Sequence, residues 1–177
     1  SVALVIGSEQ IISALFGYGS FTENSVFNSS NALYYFGLGL PAFALIKVFS
    51  TFFFANHDTK TPFYISLVSV LINILISVYF FKDIGFIIIP IATTISSWFN
   101  SLILFIYLKN NNLFEFNKTF FKQFVKIIFA SIMMGIFFKY LILLFENQLS
   151  YTYFFKSAYL LLCVLFTIIF YFAVSYF

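Results

Sequence analysis

Apolar residues run through this chain in six long blocks, each closed by a few polar positions. The first, about Val2 to Phe16, is short and carries Glu9; it reads as the tail of a helix. A polar connection, Gly17 to Asn31, ends in Asn28-Ser29-Ser30-Asn31, residues that cap a helix start well. The later blocks cover about 32–55, 62–81, 86–108, 121–145 and 157–177. Each of these five reaches or exceeds the ~20 residues that cross a ~30 Å hydrocarbon core. They are continuously apolar, where barrel strands would alternate over ~10 residues. The pattern predicts an all-α, polytopic transmembrane helical bundle, with short connections making consecutive helices antiparallel neighbours.

Composition supports the membrane class. Of 177 residues 62% are hydrophobic and 8% charged, with a mean hydropathy of +1.02. Soluble domains carry about 25% charged residues. Nine lysines against six acids, with no arginine, give +3, too little and too dispersed for nucleic-acid binding. The lysines bear on topology instead. Lys60 and the Lys109–Lys122 connection fall on one side, Lys82, Lys156 and Lys139 on the other. The bias predicts a cytoplasmic location for the first group and for the carboxyl terminus. The connection KNNNLFEFNKTFFK interleaves Phe114, Phe116, Phe120 and Phe121 with lysines, as an interfacial segment does, with lysines on anionic lipid. Cys163, the lone cysteine, reads as a small apolar filler.

Lys47 to Pro62, KVFSTFFFANHDTKTP, closes one apolar block, turns, and opens the next. Thr61 is placed to cap a helix whose first residue is Pro62, and Asp58 precedes it, where the helix dipole favours an anion. Within the blocks, Lys47 lies about two turns from a helix end. It either snorkels to the surface or faces a cavity. Gly37, Gly39 and Pro41 allow close helix approach and a bend. Asn73 and Ser77 share a helix face; Thr93, Thr94, Ser96, Ser97 and Asn100 cluster on the next block. Such a set makes interhelical hydrogen bonds or binds a small cation or substrate. His57 is the only histidine, and GxSxG, P-loop and HExxH motifs are absent, so transport is favoured over catalysis.

Lys47-Val48, Phe53, Ala55 and Asp58-Thr59-Lys60-Thr61-Pro62, at kept spacing, resemble the K-V-L-x-x-x-F-Y-A-x-x-D-T-K-T-P signature of the MurJ (MviN) lipid II flippases. That family belongs to the multidrug/oligosaccharidyl-lipid/polysaccharide exporter superfamily. Gly19-Ser20-Phe21-Thr22 is similar to the family's R-G-x-F-T, Gly39-Leu40-Pro41-Ala42 to G-L-P-A, and Ala92-Thr93-Thr94, Trp98 and Asn100 to A-T-S-x-x-x-W-x-N. Tyr18 stands where the arginine is usual, and Thr51 where proline often is.

The resemblance implies that the chain is the C-terminal lobe of a fourteen-helix transporter in the bacterial cytoplasmic (inner) membrane. It implies alternating access that moves an undecaprenyl-pyrophosphate-linked peptidoglycan precursor outward, its tail along a groove between the fifth and sixth blocks. Lys47, Asn73 and Thr94 are the candidates for substrate contact, with membrane lipids and a missing N-terminal lobe as further partners. No cofactor is implied, beyond coupling to membrane potential or Na⁺. Some members bind Na⁺ through Asn and Asp four apart plus a threonine. Asn73, with Thr93 or Thr94, matches two of these, but Ser77 replaces the carboxylate and leaves no anionic ligand. Ser1 in place of Met, inside apolar sequence, reads as a fragment's start. Two other readings remain: a lipid-linked polysaccharide or O-antigen flippase, and a non-transporting membrane scaffold subunit.

Overall fold

A computed structural model describes residues 1–111 and 118–176. The side chains of Phe114, Phe116, Phe120 and Phe121, expected to form an interfacial segment, lie outside what it describes. The elements are all helical: α1 (Val2–Ile6), α2 (Ser8–Phe16), α3 (Glu23–Ala55), α4 (Lys60–Ile84), a 3₁₀ turn (Gly85–Ile87), α5 (Ile88–Asn110), α6 (Lys118–Leu144) and α7 (Lys156–Tyr176). Among the described residues there is no strand.

Two expected boundaries are corrected. The first block is two helices, broken at Gly7. The connection expected over Gly17–Asn31 is helical from Glu23 onward. Its cap is Thr22, whose hydroxyl accepts the Ser25 N–H at 3.3 Å and bonds the Ser25 hydroxyl at 2.9 Å. Ser30, from the polar cluster taken as the cap, instead donates to Phe27 O inside the helix at 2.8 Å. A serine hydroxyl bonded to its own helix no longer competes with the backbone.

Among the described residues, four stretches are long and apolar enough to cross a membrane: Glu23–Ala55, Lys60–Asn110, Lys122–Leu144 and Lys156–Tyr176. The second is a hairpin of α4 and α5. Asn73 faces Thr93, while Ser66, two turns earlier, faces Asn100, two turns later, so the helices run antiparallel. At 25 and 23 residues each arm spans roughly 35 Å, enough for a hydrocarbon core of ~30 Å. Val70, Leu71, Ile74, Leu75 and Val78 line an exposed apolar face of α4. Such a face is an aggregation hazard in water and ordinary in lipid.

The chain forms two compact units. One holds residues 35–116 with Ser1, the other residues 2–34 and 117–177. In the first, Phe49 and Phe53 of α3 pack on Leu104 and Leu108 of α5. Phe53 is 1% exposed and sits 6.2 Å, ring to ring, from Tyr107. In the second, Ala14, Phe138, Leu141, Leu160 and Cys163 form the core. A Cβ on Gly135 would come within 2.7 Å of Val2, so this glycine lets α6 approach α1.

Candidate functional site

The signature turn is organised by Asp58 rather than Thr61. Asp58 Oδ1 accepts the backbone N–H groups of Lys60 at 3.1 Å and Thr61 at 3.0 Å. These are orphan donors at the start of α4, so Asp58 is the side chain that caps it. The helix begins at Lys60, ahead of Pro62, with Thr59 at the formal cap position making no side-chain bond. The hydrogen bond from the Thr61 side chain, followed by the Thr61 and Lys60 N–H groups, holds the Asp58 carboxyl below its ordinary value of 3.8. His57 takes the left-handed conformation, φ 58°, that lets the chain reverse between α3 and α4. Asp58 N–H closes the reversal by bonding Phe53 O at 3.0 Å. The aromatic Phe53 of the signature is therefore core, and its Asp58 is a cap.

A cleft of about 360 Å³ with mostly apolar walls opens in the same unit, lined by Phe43 and Ile46 of α3 together with Ser66, Asn73, Thr93, Ser96 and Asn100. Asn73 Nδ2 donates to Thr93 Oγ1 at 3.0 Å and Ser96 Oγ at 3.4 Å. Those hydroxyls donate in turn to their own helix, Thr93 to Ile89 O and Ser96 to Thr93 O. Asn100 Nδ2 donates to Ser66 Oγ at 3.4 Å. The result is a neutral ladder between α4 and α5. Two buried acceptors, Asn100 Oδ1 and Ser77 Oγ, are left without a partner. The set does not fit Na⁺ as it stands, because Asn73 turns N–H donors toward the hydroxyls and no carboxylate joins them.

The three residues proposed for substrate contact are not gathered together. Asn73 is in the ladder. Thr94 Oγ1 donates to Tyr35 O at 2.7 Å and Trp98 Nε1 to Leu38 O at 3.1 Å, so both tie α5 to α3 just ahead of Pro41. Gly39 makes this approach possible: a Cβ there would stand 2.9 Å from Thr94 Oγ1. Lys47 is exposed on α3 and is not among the residues lining the cleft.

Sequence reasoning missed Lys156. It was counted as a surface charge, yet it is 1% exposed. Its ammonium donates to Gly17 O and Tyr151 O, both at 2.7 Å, and lies 4.5 Å and 4.6 Å from the ring centres of Tyr18 and Tyr151. Nearby, Tyr18 OH bonds Ser157 Oγ at 2.5 Å, and Ser157 Oγ donates to Ala14 O at 2.8 Å. Two ring faces and two carbonyls replace the hydration of a buried cation. The departure at Tyr18 was the available signal. It places an aromatic face beside Lys156 where the family's arginine would bring a second positive charge.

Comparison with known proteins agrees with the motifs. The family model described as lipid II flippase MurJ matches residues 1–162. The probable lipid II flippase MurJ of Rickettsia prowazekii is 36% identical over 104 residues, 59% of this chain and 20% of that protein. Its counterpart in Thermotoga maritima is 33% identical over 135 residues, 76% of this chain and 27% of that protein. The lipid II flippase MurJ of Burkholderia cenocepacia is 27% identical over 135 residues, 76% and 26% respectively. The chain thus spans about a fifth to a quarter of the length of the curated relatives it matches. With the family model matching over most of its length, and Asp58, Phe53 and Gly39 in structural roles that account for their motifs, the chain belongs to the MurJ family of lipid II flippases.

Proposed function

We propose that this chain is the last six helices of a fourteen-helix flippase that carries the undecaprenyl-pyrophosphate-linked peptidoglycan precursor across the bacterial cytoplasmic membrane. The observation that carries the reading is the family match over residues 1–162. Alternating access supplies the mechanism: a polar cavity holds the head group while the polyprenyl tail stays in lipid, and two states of the bundle open to opposite sides. Lys60 and Lys109 fall at one end of the α4–α5 hairpin and Lys82 at the other, which favours a cytoplasmic location for the first pair and for the carboxyl terminus. Lys47, an exposed ammonium inside a membrane-length helix, is assigned to the wall of the transport cavity, where it meets the anionic head group. The α3–α5 tie at Gly39, Thr94 and Trp98 is assigned to bracing α3 where Pro41 removes a backbone donor from the helix.

The test is complementation. The full-length protein carrying this chain is expressed in a bacterium depleted of its own lipid II flippase. Rescue of growth is the expected result. Failure despite confirmed membrane expression overturns the lipid II assignment, and rescue of an O-antigen flippase mutant instead would name the other substrate. Lys47→Ala is expected to impair flipping more than folding. Equal loss of both would remove Lys47 from the cavity.

A further inference from the structure

Helices in lipid gain little from burying apolar surface against one another, so close fit and polar ties hold them together. In the unit of residues 2–34 and 117–177, α6 packs on α1 and α7, and α7 packs on α2. Two glycines supply the fit. A Cβ on Gly7 would stand 2.6 Å from the Phe138 ring, and one on Gly135 2.7 Å from Val2. The polar ties gather at one place, where the turn between α2 and α3 meets the start of α7.

Three ties cross there. The Lys156 ammonium donates to Gly17 O, the Tyr151 hydroxyl donates to Phe21 O at 2.6 Å, and Tyr18 OH bonds Ser157 Oγ. They grip the turn at both ends. Only the first carries a charge, and a charge-assisted hydrogen bond is roughly twice as strong as a neutral one. The same ammonium also bonds Tyr151 O, so a single atom joins the turn to the loop that leads into α7. Gly17 leaves it room: a Cβ there would come within 3.0 Å of Lys156 Nζ and 2.5 Å of Ser13 O. A lysine kept for topology alone would reach toward water, as long side chains near helix ends do. Lys156, the first residue of α7, is buried and turned inward instead.

We propose that Lys156 is a positioning residue for transport: it fastens the α2–α3 turn to the head of the α6–α7 hairpin, so that the two travel as one body when the protein changes state. Elsewhere the hairpin meets α1 and α2 through apolar contact and close fit, with Ala3, Ile6, Ile11 and Ala14 against Phe138 and its neighbours. Such contacts let helices slide. The ammonium opposes sliding, because any shift that strips its ligands leaves a buried charge unsolvated. What is transported rests on the flippase reading above; the fastening itself does not.

The test uses the full-length protein in nanodiscs, with spin labels on Ser20→Cys and Thr152→Cys, both exposed positions on the two fastened segments. Cys163 is buried and does not compete for label. A single narrow distance is expected with lysine at 156. In Lys156→Met a second, longer distance should appear, the released form gaining about tenfold or more, the factor that one charge-assisted hydrogen bond carries. Lys156→Gln keeps an N–H donor and drops the charge; a smaller gain of the same longer distance is expected, which serves should the methionine variant fold poorly. Lipid II flipping per folded molecule in proteoliposomes should fall with the fastened population. Leu141→Ala, a core change away from the turn, should keep wild-type flipping even where it lowers the melting temperature as much. An unchanged distance in both Lys156 variants overturns the fastening. Equal loss of flipping in Leu141→Ala overturns the positioning role and leaves Lys156 a stability residue. Should the wild-type protein move no lipid II, the flippase reading fails, while the distances still decide the fastening.

Discussion

Residues 35–111 pair neutral amides and hydroxyls between helices and leave two buried oxygens over, whereas the unit built on α1, α2, α6 and α7 buries a whole ammonium. The α4–α5 ladder spreads its polar contacts over Asn73, Thr93, Ser96, Ser66 and Asn100. Lys156 gathers the α2–α3 turn and the loop before α7 onto one atom. In membrane helices a neutral interhelical hydrogen bond contributes about 0.6 kcal/mol, because unfolded helices in lipid find other partners. A buried cation has no such alternative, and losing its ligands leaves a charge unsolvated. The first arrangement tolerates the loss of a member. The second is all or nothing.

The largest expected effect follows from that contrast. Lys156→Met removes the donor from Gly17 O and Tyr151 O and the cation from two tyrosine faces, at an expected cost of about 3 kcal/mol or more. The measurement is hydrogen exchange of the full-length protein in nanodiscs. Amides of residues 17–22 should lose protection, while those of the α4–α5 hairpin keep theirs. Protection unchanged at 17–22 would show that the aliphatic stem, rather than the ammonium, holds the turn.

A smaller effect is expected at the α3–α5 approach. Gly39→Ala puts a methyl 2.9 Å from Thr94 Oγ1, so the hydroxyl must turn away from Tyr35 O. The expected cost is about 1 kcal/mol. Thr94→Ala should cost a similar amount by removing the same bond. In the double variant the second change should cost little, because both act on one contact. Full additivity of the two in thermal unfolding would break this reading. Smaller again is Asn73→Ala, expected to cost about 0.6 kcal/mol for each bond lost and to leave the hairpin intact. A collapse of the hairpin on that single change would place the ladder with Lys156, as a unit that fails together.

Much of the architecture was legible because hydrophobic period and length decide it: long apolar runs become helices wherever lipid surrounds them. Caps were less legible. Thr22 and the polar run Asn28–Asn31 both carry side chains suited to an N-cap, and only the helix that forms decides which hydroxyl turns back on its own carbonyl. Thr61 and Asp58 posed the same choice, and the carboxylate, which accepts two N–H groups at once, won it. Lys156 could not be placed from its neighbours in sequence alone, since Tyr151 is close by but the partners that complete its burial, Gly17 and Tyr18, lie 139 and 138 positions away. At the site, polar groups at Asn73 and over Thr93–Asn100 were readable on consecutive helices, but not which of them pair: Thr93 bonds Asn73, while Ser77, four residues from Asn73 on its own helix, has no partner. The separation of Lys47 from that pair was not readable either, because it depends on which face α3 turns outward.

The smallest effect concerns the turn that joins α3 to α4, and it is read in pH. The Thr61 side chain and the Thr61 and Lys60 N–H groups favour the ionised Asp58 carboxylate in the fold, so its folded value lies below the 3.8 of a free side chain. The unfolded turn therefore takes up a proton more readily. The stabilisation from this cap is full above pH 3.8 and is lost as pH falls through the lower, folded value. Asp58 stands at an exposed turn, so solvent screens the effect and it stays local. Amide exchange at Lys60 and Thr61, corrected for intrinsic rates, should accelerate over that acid window in the wild-type protein. In Asp58→Asn the side-chain oxygen still accepts both N–H groups but carries no titrating charge. Protection there should be somewhat lower at neutral pH and flat through the same acid range. A variant that tracks the wild-type acid profile would assign the capping to Thr59 or Thr61 and return Asp58 to a bystander of the signature.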